Sequence, residues 1–188
     1  GDRLDQNFSN YVNYAANPDF YSDFVLKKPL PIVYKVPFVN AAGWLISRQC
    51  LETIGGFDPV FFHYGEDDNY CQRVLFHGLK IGVVPKVFLK HDRETRIFKQ
   101  DPVGDKGTFK RQERVVKMKY ANINNEDFRE VKNLIKNSHK AAIKSFIKLR
   151  FIASKFYRME AKLLKKIYPE IENSRLLNKT KGPTYLDL

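Results

Sequence analysis

The chain has 188 residues, 33 Lys and Arg against 21 Asp and Glu, and a formal net charge of +12. That length suits one domain with an extension, and 43% hydrophobic with 14% aromatic residues is enough apolar material to exclude wholesale disorder. No apolar run approaches the ~18 residues of a membrane span, no signal-peptide pattern opens the chain, and two cysteines without a CxxC partner, Cys50 and Cys71, exclude a disulfide scaffold and argue against a zinc site.

The charge is segregated. Residues 1–100 hold 12 basic and 11 acidic side chains, and residues 101–188 hold 21 basic and 10 acidic. A balanced globular part followed by a basic extension is expected.

In chain order, residues 1–32 show no clean period and carry Pro18, Pro29 and Pro31, so they read as loop. Val33 to Val39 is a β-branched and aromatic run cut by Pro37, the pattern of an edge strand. Gly43 to Ser47 reads as a second strand. Arg48 to Ile54 predicts a short helix with Ser47 as N-cap and Gly55-Gly56 as its stop. Phe57-Asp58-Pro59 is turn chemistry. Glu66 to His77 predicts a helix whose acidic first turn suits the macrodipole, with Gly78 just past its end. Leu79 to Val84 and Val87 to Leu89 read as short strands. Strands alternating with short helices indicate an α/β layer.

After Asp101-Pro102 the texture changes. Thr108 to Tyr120 predicts a polar, basic helix. Glu126 to Tyr168 predicts a long helical stretch with a break at Asn137-Ser138-His139 and an end at Pro169. Residues 170–188 read as a loose tail.

Gly65-Glu66-Asp67-Asp68 at a helix mouth admits two readings, capping acids or a general base with metal-binding capacity. Its surroundings sharpen it. Asn40-Ala41-Ala42-Gly43-Trp44-Leu45-Ile46-Ser47-Arg48 is followed by Gly55-Gly56-Phe57-Asp58-Pro59, then by Phe61-Phe62-His63-Tyr64-Gly65-Glu66-Asp67-Asp68 and Cys71-Gln72-Arg73, and a predicted strand runs out to His91. This order resembles the second half of family-2 glycosyltransferases with the GT-A fold, most closely the rhamnosyltransferase-type members, over residues 33–96. The resemblance implies an α/β architecture: a partial GT-A, Rossmann-like sheet with short helices over residues 1–100, the acceptor-side half, then a basic α-helical extension and tail over 101–188.

It also implies roles. Asp67 would be the catalytic base, taking the proton of an acceptor hydroxyl that attacks the anomeric carbon of a nucleotide sugar with inversion. Glu66 would orient the acceptor, with Asp68 as a further substrate contact. Gly43 and Trp44 would line the donor–acceptor cleft, although Trp44 is as readily a core residue. Arg73 either reaches a group at the site or supports its helix. His91 would contact metal or diphosphate. His63 and His77 read as packing or surface residues, and Cys50 and Cys71 as small buried hydrophobes.

Two departures qualify the resemblance. The family often continues its Glu-Asp motif as Glu-Asp-x-Asp-Leu, whereas Asn69 stands here at the second Asp. The chain also has no Asp-x-Asp, the motif that holds a divalent metal (Mg or Mn) on the donor diphosphate. The expectation is an acceptor-binding and catalytic-base half of a longer inverting transferase, inactive alone, with that metal needed by the full-length enzyme. Its partners would be a nucleotide-sugar donor and a glycan or lipid-linked acceptor. Dimerisation is one way such a half would hide its cut sheet edge.

On a helical wheel at ~100° per residue, the lysines and arginines from Lys132 to Lys166 occupy one half. Most apolar residues occupy the other, and Ile143, Ile147 and Phe151 intrude on the basic side. Either this is a solvated basic face over a packed apolar face, or residues 129–166 rest on an anionic membrane surface. Nucleic acid is disfavoured, since no recognition motif accompanies the charge. A cytoplasmic location, peripheral on the inner face of the membrane, fits. The competing reading is a non-catalytic assembly module that docks a partner or membrane through its basic helices.

Overall fold

The computed structural model describes residues 25–28, 33–62, 64–84, 87 and 106–186 (the side chains of Lys106 and Thr108 excepted). Among them are a two-stranded sheet and five α-helices. They run β1 (Tyr34–Val36), α1 (Arg48–Ile54), α2 (Glu66–Phe76), β2 (Ile81–Val83), α3 (Lys106–Tyr120), a 3-10 turn (Asp127–Arg129), α4 (Glu130–Ile147) and α5 (Phe151–Asn178). The class is mixed, with helix predominant.

β1 ends before Pro37 and pairs antiparallel with β2, with Lys35 opposite Gly82. The parallel sheet of an α/β layer is not formed among the described residues. The segment Gly43 to Ser47, expected as a strand, is irregular. Trp44 there donates its indole N–H to the Asn40 carbonyl at 2.8 Å, closing a local turn that a strand could not accommodate. The strand expected at Val87 to Leu89 lies outside the described residues apart from Val87, which is not in a strand.

α1 follows its sequence signals closely. Ser47 Oγ accepts the Cys50 N–H at 3.2 Å, and Gly55 at φ +76 ends the helix. The sheet, α1 and α2 enclose a first core of Val36, Ile54, Tyr70, Cys71, Val74 and Ile81. Each Val or Ile in it contributes ~1.5–3 kcal/mol by burial.

The C-terminal half departs most from expectation. The break expected at Asn137-Ser138-His139 is absent. Ser138 bonds back to the Leu134 carbonyl at 2.9 Å and across to Glu160 Oε2 at 2.8 Å, which satisfies it inside α4. The break lies instead at Lys148-Leu149-Arg150, with Leu149 at φ +58. Pro169 does not end α5. It sits on the exposed side, where solvent can satisfy the carbonyl it leaves unbonded. The next two turns bury Ile171, Ser174, Arg175 and Asn178, a tertiary gain that outweighs the local cost.

α4 and α5 form an antiparallel hairpin, pinned by Ser154 Oγ donating to the Ala142 carbonyl at 2.9 Å. α3 lies along α5 in the same direction: Phe109 meets Phe156 at 5.5 Å, and Lys117 meets Glu170 at 3.2 Å. These helices enclose a second core that includes Tyr120, Val131, Leu164, Ile167 and Ile171, and Phe61 from the loop before α2 inserts into it.

The segment read as a loose tail is also structured. The Gly182 N–H bonds to the Thr53 carbonyl at 2.9 Å, and the Gly56 N–H bonds to the Thr184 carbonyl at 2.8 Å. The C-terminal residues thus strap the end of α1, and the basic segment beyond residue 100 packs into the front of the molecule.

Candidate functional site

The site is built at the mouth of α2. Tyr64 (φ +66) and Gly65 (φ +100) both take the left-handed conformation. A Cβ at Gly65 would stand 2.8 Å from the Met118 side chain of α3, so both backbone angle and space demand glycine. The Arg114 guanidinium of α3 sits 5.1 Å from the centre of the Tyr64 ring. The entrance to α2 is therefore held against α3 from two sides.

Glu66, Asp67 and Asp68 fill the first turn, where the helix dipole favours negative charge. All three are half-buried. Asp67 Oδ1 accepts the Asp68 N–H at 2.9 Å, which fixes the carboxylate and leaves its second oxygen. No lysine or arginine among the described residues pairs with the three. Burial, then the charges of Asp67 and Glu66, push the Asp68 carboxyl above its ordinary range.

Glu66 Oε2 is buried without a hydrogen-bond partner, and so are both amide atoms of Asn69 one turn along. Three residues apart on a helix, the two side chains are neighbours. Buried polar atoms are nearly always bonded, so this face keeps unspent hydrogen-bonding capacity. Asn69 drew notice in the sequence only as a departure from a family motif. Its burial comes from packing.

Trp44, Phe57 and Tyr70 form an aromatic cluster beside the mouth, with ring centres 5.7 Å apart for Trp44 and Phe57 and 5.4 Å for Trp44 and Tyr70. Trp44 is half-buried, packed at the rim of the first core. Gly43 beside it is exposed. Cys71, one turn beyond Asp67, directs its thiol to the Val39 carbonyl at 3.8 Å, which sets the Asp67 side of α2 toward the loop carrying Gly43 and Trp44. Burial pushes that thiol up to about 11.

Arg73 belongs to the interior. It is 1% exposed, and its guanidinium donates to the Gly56 carbonyl at 2.7 Å, to the Ile54 carbonyl, and to Thr184 Oγ1 at 3.3 Å. It lies between the Tyr70 and Tyr185 rings, 5.6 and 5.2 Å from their centres. Arg73 thus caps the C-terminus of α1 from a distance, supplying donors to carbonyls left free at a helix end. Arg175 does the same for α3, donating to the Tyr120 carbonyl at 3.0 Å. His77 also has a packing role, with Nε2 2.8 Å from the Asn178 carbonyl. His63 and His91 lie outside the described residues.

No three His, Cys, Asp or Glu side chains among the described residues converge on a position a metal ion could take. Consecutive residues of a helix point ~100° apart, so the three acids at the mouth do not close on one ion.

No protein-family model matches this chain, and no curated protein or solved structure is significantly similar to it.

Proposed function

We propose that this chain is the acceptor-side, base-bearing half of an inverting glycosyltransferase of GT-A type, as its motif order from residue 33 to 96 suggests. One structural observation supports the reading most. The Asp67 carboxylate is fixed at a rigid helix mouth, without a cationic partner among the described residues, beside an aromatic rim. A general base needs a fixed position and an oxygen free to accept a proton. Asp67 has both.

In this reading the second oxygen of Asp67 takes the proton of an acceptor hydroxyl. The hydroxyl oxygen forms a bond to the anomeric carbon as the bond from that carbon to the nucleoside diphosphate breaks. The electron pair leaves with the diphosphate, and the configuration inverts. Glu66 and Asp68, half-buried at the same helix mouth, are assigned the acceptor's other hydroxyls, and Asn69 stays buried beneath them. Trp44 and Phe57 offer ring surface to a sugar face, and the exposed Gly43 leaves the approach open. Arg73 is given a structural role, because it is buried and its terminal nitrogens donate to the Ile54 and Gly56 carbonyls and to Thr184 Oγ1. The donor, and any divalent ion on its diphosphate, are assigned to a nucleotide-binding half that carries the Asp-x-Asp this sequence lacks.

The test is transfer by the full-length enzyme across a panel of nucleotide sugars and glycan acceptors, read as nucleoside diphosphate release. Asp67→Asn should lower turnover by about 100-fold or more with the fold intact by circular dichroism. Near-normal turnover would remove Asp67 from the role of base.

A further inference from the structure

The far end of the α4–α5 hairpin carries a surface that the core does not use. Residues 131–159 contain eight Lys or Arg and no Asp or Glu. Within that stretch Ile143, Phe146, Ile147, Leu149, Phe151 and Ile152 are all exposed, Ile147 to 73%, Leu149 to 74% and Ile152 to 89%. The wheel of one continuous helix misplaced these residues. Its apolar stripe divides: Ala142, Leu164 and Ile167 are buried between helices, while Phe146, Leu149 and Ile152 join the intruding Ile143, Ile147 and Phe151 at the hairpin tip.

The tip is ordered by its own contacts. Leu149 takes a left-handed backbone, a conformation costing ~1–2 kcal/mol for a residue with a Cβ, and so projects its side chain into solvent. The Phe146 and Phe151 rings meet edge to face at 5.8 Å, and the Arg158 guanidinium lies 5.5 Å from the centre of Phe146. Lys140, Lys144, Lys148, Arg150 and Lys155 are exposed around this cap.

Charge decides what covers it. A second copy would bring eight cations against eight. A nucleic acid would satisfy the cations but return nothing for Ile143, Ile147, Leu149 and Ile152. An anionic bilayer takes both, headgroup phosphates at the lysines and acyl chains at the cap. From Ile143 to Ile147 the helix rises ~6 Å, within the ~5–10 Å depth to which interfacial segments bury.

We propose that the α4–α5 tip is a membrane-docking element that inserts its apolar cap end-on into a bilayer rich in anionic lipid, with Lys144, Lys148, Arg150 and Lys155 at the level of the phosphates. The inference does not rest on glycosyl transfer, and its test reads no activity.

The full chain is sedimented with phosphatidylcholine vesicles, with and without about 30% phosphatidylglycerol, at low salt and at about 0.5 M salt. Strong binding is expected only to the anionic vesicles. Two variants separate the contributions: Ile147→Ser with Leu149→Ser and Ile152→Ser, which keeps every charge, and Lys144→Gln with Lys148→Gln and Arg150→Gln. Each should weaken binding about tenfold or more while the thermal melt stays that of the parent, since every altered side chain is exposed. Absence of parent binding at low salt overturns the proposal, and so does unchanged binding by the serine variant. Preference for a single-stranded RNA over the anionic vesicles would assign the tip to nucleic acid. Parent self-association abolished by the serine variant, without vesicle binding, would assign it to a second copy.

Discussion

Asn178 Nδ2 donates to Asp58 Oδ2 at 2.6 Å, joining the last turn of α5 to the turn before α2 across 120 residues of sequence. Ser174 Oγ donates to the same oxygen at 2.6 Å, and the Val60 N–H bonds to Oδ1 at 2.9 Å. Asp58 is 2% exposed. A residue with the signature of a local turn is therefore also the buried joint between the front of the molecule and its helical back. It helps to place Phe61, and through Phe61 the entrance to the acidic helix.

Removing Asp58 should cost more than removing either donor. Asp58→Ala leaves Ser174, Asn178 and the Val60 N–H without their acceptor, and a loss of about 3 kcal/mol is expected. Asn178→Ala leaves the carboxylate two of its three donors and should cost about 1–2 kcal/mol. Urea unfolding measures both, and equal losses would show that Asp58 is not the hub.

Gly55 tests the C-terminal strap. Its φ is +76, and a Cβ there would lie 1.7 Å from the Thr184 carbonyl oxygen. Gly55→Ala should destabilise the chain by more than about 2 kcal/mol. Hydrogen exchange should show residues 182–186 losing protection first. A small loss with residues 182–186 still protected would mean that the strap does not depend on this close approach.

Asp68 links stability to pH. Its folded carboxyl titrates above the ordinary aspartate range, chiefly through burial and then through Asp67 and Glu66. Between the unfolded and the raised folded value the native state binds more protons, so stability falls as pH rises through that window. Asp68→Asn should therefore raise the melting temperature at pH 7, with the advantage vanishing below about pH 3.8, where both states are protonated. A variant less stable at pH 7 would show that the dipole benefit of the third carboxylate outweighs its repulsion.

The two thiols should differ. Cys71 is buried, with its thiol raised to about 11, whereas Cys50 is partly exposed. Iodoacetamide at pH 8 should modify Cys50 in the native protein and reach Cys71 only on unfolding. Mass spectrometry of the alkylated peptides reads the difference, and comparable native rates would contradict the packing of α2 on the Val39 segment.

Local signals were legible where local physics decides. Ser47 and Gly55 bound α1 because capping and a left-handed stop are properties of single residues. The acids at the mouth of α2 announce its start for the same reason. Signals failed where a distant contact outweighed a local preference. Ser138 looked like a break but is satisfied by its own helix and by Glu160. Pro169 looked like a terminus, but the turns beyond it bury Ile171 and Asn178. Ile143, Ile147 and Phe151 read as intrusions on the basic side because one helical wheel spans a segment that turns at Leu149.

By itself the sequence determined the charge segregation, the bounds of α1, the start of α2 and the acidic motif there. Each depends on residue type and on spacing within a few positions. Only the tertiary structure decided that Arg73 and Arg175 cap helix ends across the chain, that Asp58 binds the end of α5, that the tail straps Gly55 and Gly56, and that the basic helices turn an apolar tip outward. Those outcomes rest on which carbonyls and faces remain unsatisfied once the helices have packed, and partners in different elements, from 17 residues apart for Arg73 and Gly56 to 120 for Asp58 and Asn178, leave no periodic trace.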